Sequence, residues 1–250
     1  MLYIIGTGLW RGDDISVRGA EICKKCAHVY LDEYTRAFDE EELGLLESII
    51  GKPVVKLGRR ELEERLAFIE QAKESNVALL IPGDPLVATT HITIIEAARK
   101  KGVRVEVVHG STIHTAIVGE AGLHIYKVGG ACTIPMREKG IRPYSTYDKI
   151  AENVGRGLHT IVFLDTAPEK QLSVREAIEV MQEIEGERGN GIFADTAMLV
   201  VGCRMGSREQ KLLYSTVGKI KNMELPPPCT LVVPGKLHFS EEDALRLIQE

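Results

Sequence analysis

Residues 77–85 read Val77-Ala78-Leu79-Leu80-Ile81-Pro82-Gly83-Asp84-Pro85, an unbroken apolar run that stops at a proline and a glycine. A half-exposed strand alternates apolar and polar residues. A continuous run therefore predicts a strand buried on both faces, at the centre of a parallel sheet. Working outward, Leu2 to Ile5 predicts a second buried strand, closed by Gly6-Thr7-Gly8. Ser16 suits the N-cap of a helix running to about Cys26, because its hydroxyl can accept an otherwise orphaned backbone N–H. Val29 to Leu31 predicts the next strand, and Asp39 the start of an acidic helix with apolar positions through Ile50. Lys52-Pro53 is expected to break that helix, with Val54-Val55 opening a strand. Leu62, Leu66 and Ile69 fall at i, i+4 and i+7, the spacing of one helix face. A further helix, from about Thr90 to Lys100, ends near Gly102 and leads into a strand at Val103–Val108. Strands alternating with helices predict an α/β fold with a mostly parallel sheet covered on both faces.

The second half has a different texture. Strands are expected at Ile125–Val128, Ala131–Ile134, Thr160–Leu164, Met198–Cys203 and Thr230–Val233, and helices at Ser145–Asn153, Ser173–Ile184 and Ser240–Ile248. Several of these strands follow one another directly, which predicts a second, mixed sheet. Glu185–Gly191 reads as a turn, and Pro226 to Pro228 as a stiff connector before the last strand. The change of texture falls near residues 109–115, so two α/β domains are expected: 1–112 with the mostly parallel sheet and 113–250 with the mixed one.

Composition narrows the classes. Hydrophobic residues are 44% and charged residues 27% of the 250, an ordinary globular balance. A formal charge of -5, with basic residues scattered, argues against a protein that grips nucleic acid through its phosphates. No apolar run approaches the roughly 20 residues needed to cross a bilayer. The N-terminus does not read as a secretory signal. Five cysteines, an odd number, do not suit a secreted disulfide framework, so a cytoplasmic protein is expected. Cys23 and Cys26 form a CxxC, but no second CxxC follows; the pair reads as packing inside a helix, and no metal site is assigned.

Three strand ends carry the candidate chemistry. Gly6-Thr7-Gly8-Leu9 lets the chain turn sharply and approach a ligand, although it lacks the third glycine of the dinucleotide fingerprint and equally suits an ordinary turn. Ile81-Pro82-Gly83-Asp84-Pro85 sits where open α/β sheets place their ligand crevices. Asp84 there either accepts a ligand hydroxyl or amine, or caps its own turn. Thr89 and Thr90 are expected to cap the following helix. Gly110-Ser111-Thr112-Ile113 offers small and hydroxyl residues for an N-cap or a ligand wall. His109, His114 and His124 lack the spacing of a zinc motif and read as surface or hydrogen-bonded histidines. His159, just before a strand, reads as structural. No Ser/His/Asp order, phosphate loop or carboxylate pair emerges, so residue chemistry alone supports a small-molecule site made from several strand ends.

Taken together and in order, these segments resemble the diphthine synthases, within the tetrapyrrole methylase fold family. The resemblance rests on Ile4-Ile5-Gly6-Thr7-Gly8-Leu9, Tyr30-Leu31-Asp32-Glu33-Tyr34-Thr35, and Val77 through His91 with its Gly-Asp-Pro and Ala-Thr-Thr-His. It continues through Gly110-Ser111-Thr112-Ile113, Gly122-Leu123, Arg142-Pro143, Gly157-Leu158-His159-Thr160, Leu164-Asp165 and Pro234-Gly235-Lys236-Leu237-His238, across nearly the whole chain. It implies two α/β domains holding S-adenosyl-L-methionine in a cleft, released as S-adenosyl-L-homocysteine, in a homodimer. The implied substrate is elongation factor 2, whose histidine already carries a 3-amino-3-carboxypropyl group and whose amine is methylated repeatedly to diphthine. Leu9, Asp84, Val87, Thr112, Ile113, Leu164, Met205 and His238 are the implied cofactor contacts. The apolar five would pack on the adenine or methionine chain, and Asp84 and His238 would make polar contacts; core packing and local turn hydrogen bonds are the plain alternatives. No catalytic acid or base is assigned, because alignment of a neutral amine behind a sulfonium methyl can supply most of the catalysis. Two departures fall on the substrate side: Gln171-Leu172-Ser173 replaces the family's Tyr-Met-Thr stretch, and Met136-Arg137-Glu138 lacks aromatic character. Other readings are a methyltransferase for a tetrapyrrole or another small acceptor, and a non-catalytic nucleotide-binding module.

Overall fold

The computed structural model describes residues 1–33, 38–136, 142–167 and 170–250. Two compact units divide the chain, Met1–Ile113 and His114–Glu250. Tyr34 and Thr35 of one resemblance segment, and Arg137 and Glu138 of one departure, lie outside the described residues.

In the first unit, β1 (Leu2–Gly6), β2 (His28–Asp32), β3 (Val55–Leu57), β4 (Val77–Ile81) and β5 (Val105–Val108) form one parallel sheet in the order β3-β2-β4-β1-β5. The expected central strand is β4, buried along its whole length between β1 and β2. Its side chains alternate between two cores, as the period of a strand requires. Ala78 and Leu80 pack with α1 (Val17–Lys25) and α2 (Glu40–Ile50), whereas Val77, Leu79 and Ile81 pack with α3 (Ala67–Glu74) and α4 (Ile92–Lys100). The crossovers through α1 and α2 lead toward the β3 edge and those through α3 and α4 lead away from it. With a single permitted handedness, these two directions place the helix pairs on opposite faces.

The helix starts follow the capping chemistry. Ser16 accepts from the Gly19 N–H and Asp39 from the Glu42 N–H. Several local expectations need correction. The chain leaves α2 at Gly51, with φ 71°, one residue before the Lys52-Pro53 break. Leu62, Leu66 and Ile69 do not lie on one helix: a π-type turn spans Glu61–Arg65, and Leu66 is left-handed at φ 49° before α3 begins. All three still pack into one core, because the apolar spacing specifies a shared face and not the backbone between. The N-cap of α4 is His91 and no side chain caps it, so neither threonine does so.

The second unit begins with α5 (continuing from Ile113 to Glu120), β6 (Cys132–Ile134), α6 (Tyr144–Gly155), β7 (Thr160–Leu164) and a small hairpin, β8 (Thr166–Ala167) with β9 (Lys170–Gln171). There follow α7 (Val174–Arg188), β10 (Met198–Cys203), β11 (Lys211–Thr216), α8 (Val217–Ile220), β12 (Cys229–Val233) and α9 (Phe239–Arg246). The main sheet has the order β11-β10-β12-β7-β6, antiparallel except for β6 with β7, and is therefore mixed as expected. Its core gathers Tyr147 and Ile150 of α6, much of α7, and Val217 and Ile220 of α8.

Sequence reading misplaced some elements here. Ile125–Val128 is not a strand but a short 3-10 turn over Ile125–Lys127, with Ile125 and Tyr126 exposed. Without burial the apolar pair has nothing to pay for sheet pairing. The expected turn from Glu185 is helical as far as Arg188, and Gly189 at φ 68° ends it. The edge strand β11, and α5 and α8, were not expected: α8 is a single turn, and the apolar residues of β11 are interleaved with polar ones.

A buried carboxylate ties the second unit together. Glu241, in the first turn of α9, is fully buried. It accepts from the His124 N–H at 2.8 Å, His159 Nε2 at 2.9 Å, the His238 N–H at 2.7 Å and the Lys127 ammonium. His159, fully buried, accepts the Gly235 N–H on Nδ1 at 3.0 Å, which leaves the proton on Nε2 to face Glu241. Burial pushes the His159 pKa down, with Glu241 opposing. Burial also raises that of Glu241, but the donors, led by Lys127, outweigh it and hold the carboxyl at about 2.

Two expectations follow from these features. Unfolded, a glutamate titrates near about 4.3, so Glu241 contributes stability that is complete above that pH and is lost as pH falls toward 2. Urea unfolding between pH 5 and pH 2 should show wild type losing up to about 3 kcal/mol more than Glu241→Gln, which starts less stable; parallel pH profiles would refute this. In the first unit, a Cβ on Gly6 would lie 2.5 Å from the Gly83 carbonyl oxygen, whereas one on Gly44, exposed within α2, meets nothing within 4 Å. Gly6→Ala should cost at least about 2 kcal/mol in urea unfolding, and Gly44→Ala should add about 0.5–1 kcal/mol.

Candidate functional site

The carboxyl ends of β1, β4 and β5 meet backbone to backbone. A Cβ on Gly110 would lie 2.6 Å from the Gly83 carbonyl oxygen, and one on Gly6 would lie 2.7 Å from the Gly110 nitrogen. Glycine at these positions thus serves the approach of one strand end to another, whatever it does for a ligand. Beyond the sheet, the Gly83 N–H donates to the Gly8 carbonyl at 2.8 Å, and the Gly8 N–H returns a bond at 3.4 Å. Gly8 holds φ 87°, and a Cβ there would lie 2.4 Å from Asp14 Cβ. Asp14 closes the turn by accepting the Trp10 and Arg11 N–H groups, both at 2.9 Å. Leu9 is half-buried between these constraints.

Asp84 is the hub of this edge and is buried. Its Oδ1 accepts the Leu86 N–H at 2.9 Å, so it does cap its own turn. Its Oδ2 also reaches the loop after β5, accepting the Gly110 N–H at 3.3 Å and meeting His109 Nδ1 at 2.8 Å. These bonds occupy three of the roughly four acceptor positions of a carboxylate, leaving one for a ligand donor. Val87, Thr112 and Ile113 stand half-buried on the same loops. Five of the eight expected contacts, Leu9, Asp84, Val87, Thr112 and Ile113, therefore occupy adjoining loops, or the first residue of α5, at one sheet edge.

In the second unit, Leu164 ends β7 and Met205 follows β10, both buried. Cys203 pairs with Cys229 across β10 and β12, and Thr230 pairs with Phe163, so Leu164 and Met205 share one edge of the second sheet. His238 follows the opposite end of β12. It is exposed, its Nδ1 meets the Ser240 hydroxyl at 2.9 Å, and its ring packs on Phe239 at 4.1 Å and His124 at 5.3 Å. The sheet does not bring His238 to the Leu164 and Met205 edge.

The other singled-out residues have plain surroundings. Cys23 and Cys26 are buried in the α1–α2 core; burial raises both thiol pKa values, that of Cys23 to about 12, which disfavours a thiolate. Among the described residues no group of three or more His, Cys, Asp or Glu is arranged to hold a metal ion, and no helix is long and apolar enough to cross a membrane. His114 stacks on Phe163 at 6.4 Å.

One constellation was not foreseen. Asp32, fully buried at the end of β2, holds His91 Nε2 at 3.1 Å, and His91 Nδ1 meets the Thr89 hydroxyl. Both ends lie in segments of the resemblance, but no spacing rule relates residues so far apart in the chain.

Comparison with known proteins places the chain in a family. The family model described as Tetrapyrrole (Corrin/Porphyrin) Methylases matches residues 1–221. A diphthine synthase of Methanocaldococcus jannaschii is 34% identical, over 100% of this chain and 99% of the relative. One of Methanothermobacter thermautotrophicus is 37% identical, over 98% of this chain and 94% of the relative. A crystal structure of diphthine synthase superposes with a TM-score of 0.88 at 34% identity, covering 99% of this chain and 95% of that one. The chain belongs to the tetrapyrrole methylase family and, within it, to the diphthine synthases.

Proposed function

We propose that this S-adenosylmethionine-dependent methyltransferase of diphthamide biosynthesis acts on elongation factor 2, repeatedly methylating the amine of its 3-amino-3-carboxypropyl-modified histidine. The observation that carries this reading is the Asp84 hub, a buried carboxylate with acceptor capacity to spare beside half-buried Leu9, Val87, Thr112 and Ile113. Such a set fits an adenosine: a fixed acceptor suits a ribose hydroxyl or an amine, and the apolar side chains suit an aromatic base. Leu164 and Met205 are proposed as further apolar contacts. His238 stands apart from them, beyond the opposite end of β12. Homodimeric assembly and a cytoplasmic setting belong to the same reading, and the net charge of -5 speaks against a nucleic-acid substrate.

Bound S-adenosylmethionine supplies a methyl group on a sulfonium, a good leaving group. What the chain contributes is placement. The Gly8–Gly83 bonds and the Asp84 contacts fix three loops against one another before a ligand arrives, so little ordering remains to be done on binding. The acceptor must present a neutral nitrogen in line with the methyl carbon, and rigid loops favour that alignment. No side chain is assigned as base: the amine can lose its proton to water before alignment. The number of methyl groups accepted depends on the room left around the growing ammonium.

The test has two arms. Calorimetry should give saturable binding of S-adenosylhomocysteine to the wild type, weakened at least about tenfold by Asp84→Ala, the effect of removing a buried charged hydrogen-bond partner. Mass spectrometry of modified elongation factor 2 after incubation with enzyme and S-adenosylmethionine should show stepwise gains of one methyl. Absence of affinity for S-adenosylhomocysteine would end the cofactor reading. Binding without methyl gain on elongation factor 2 would end the substrate reading alone.

A further inference from the structure

Between Val87 and α4 the chain does something costly. Ala88 lies in the left-handed region at φ 55°, where a side chain crowds the backbone and glycine is the usual occupant. A strained residue persists only where its surroundings over-determine it, and such residues concentrate at ligand clamps and active sites. Here the surroundings are explicit. Thr89 accepts the His91 N–H on its hydroxyl at 2.9 Å, and the same hydroxyl meets His91 Nδ1. His91, itself buried, is held at Nε2 by Asp32 at 3.1 Å. A carboxylate can only accept, so the ring's Nε2 proton faces Asp32 and the ring cannot flip without losing both partners. Asp32 is fully buried at the end of β2, the strand beside β4. A buried carboxylate is retained at a cost that an apolar residue would avoid, which favours a geometric role over a purely stabilising one.

From this geometry we propose that Asp32, His91 and Thr89 form a clamp that holds Ala88 left-handed and so presets the Asp84–Val87 loop for the cofactor. None of the three is assigned to touch the cofactor or the amine; they are positioning residues. The proposal rests on the cofactor reading given above, because the clamp has a purpose only if Asp84 and Val87 meet a ligand. It also explains an asymmetry. The turn at Gly83, φ 75°, uses a residue for which a positive φ is cheap, whereas the turn at Ala88 does not and is the one provided with a clamp.

The experiment measures S-adenosylhomocysteine affinity by calorimetry and thermal unfolding on the same samples of the full chain. His91→Gln and Thr89→Val should each weaken binding about tenfold, or about 1.4 kcal/mol, near the weight of one left-handed alanine. Thr89→Val at a half-buried position serves where His91→Gln fails to fold. Ala88→Gly alone should change affinity no more than about twofold, since the clamp already fixes the turn. Combined with His91→Gln or Thr89→Val, Ala88→Gly should recover most of the lost affinity, because glycine adopts the turn unaided. A purely structural role would lower the melting temperature without that recovery. Wild-type affinity in a folded clamp variant, or additive losses on combining it with Ala88→Gly, overturns the proposal while leaving the cofactor reading intact. Absence of binding by the wild type fells both, and is distinguished by needing no variant at all.

Discussion

Close approach of the backbones at Gly6, Gly83 and Gly110 is the constraint on which the candidate site depends. Three strand ends come within reach only because Gly6 and Gly110 have no Cβ, while Gly83 supplies its bare carbonyl from a turn at φ 75°. Once there, the chain spends its polar groups on cross-links between loops: the paired Gly8–Gly83 bonds, and the Asp84 bonds to Gly110 and His109. A loop edge built this way is stiff before a ligand arrives. For methyl transfer stiffness is the main requirement, because the leaving group is already good and the catalytic gain lies in aligning the nucleophile.

Buried carboxylates recur as the joints of this molecule, and each solves the cost of burial in its own way. Glu241 gathers two backbone N–H groups, an ammonium and an imidazole. Asp84 gathers two backbone N–H groups on its own loop and the next, together with an imidazole at its margin. Asp32 holds an imidazole across from β2 to the loop after β4. In each case the charge draws together segments distant in sequence, which packing alone would leave less precisely placed.

Much of the fold could be read directly. The apolar run at Val77–Ile81 is the central strand, Ser16 and Asp39 cap their helices, and the second sheet is mixed. Misreadings cluster where local pattern and burial part company. Ile125 and Tyr126 are apolar yet exposed, so no strand forms there. Leu62, Leu66 and Ile69 share a core although their helix is interrupted, because side-chain spacing constrains a face while leaving the backbone free to bulge. The Thr89 hydroxyl, read as a helix cap, is engaged with His91 instead.

By itself the sequence determined the class of fold, most of its elements and the strand ends where chemistry belongs. Those properties follow from periodicity, capping and glycine placement, all of which act over a few residues. Only the tertiary structure decided that Asp84 joins two loops, that Asp32 meets His91, and that His238 stands at the other end of its strand from Leu164. Such pairings are made by single hydrogen bonds between distant residues and leave no repeating signal along the chain. They exist only once the sheet has placed its strands side by side.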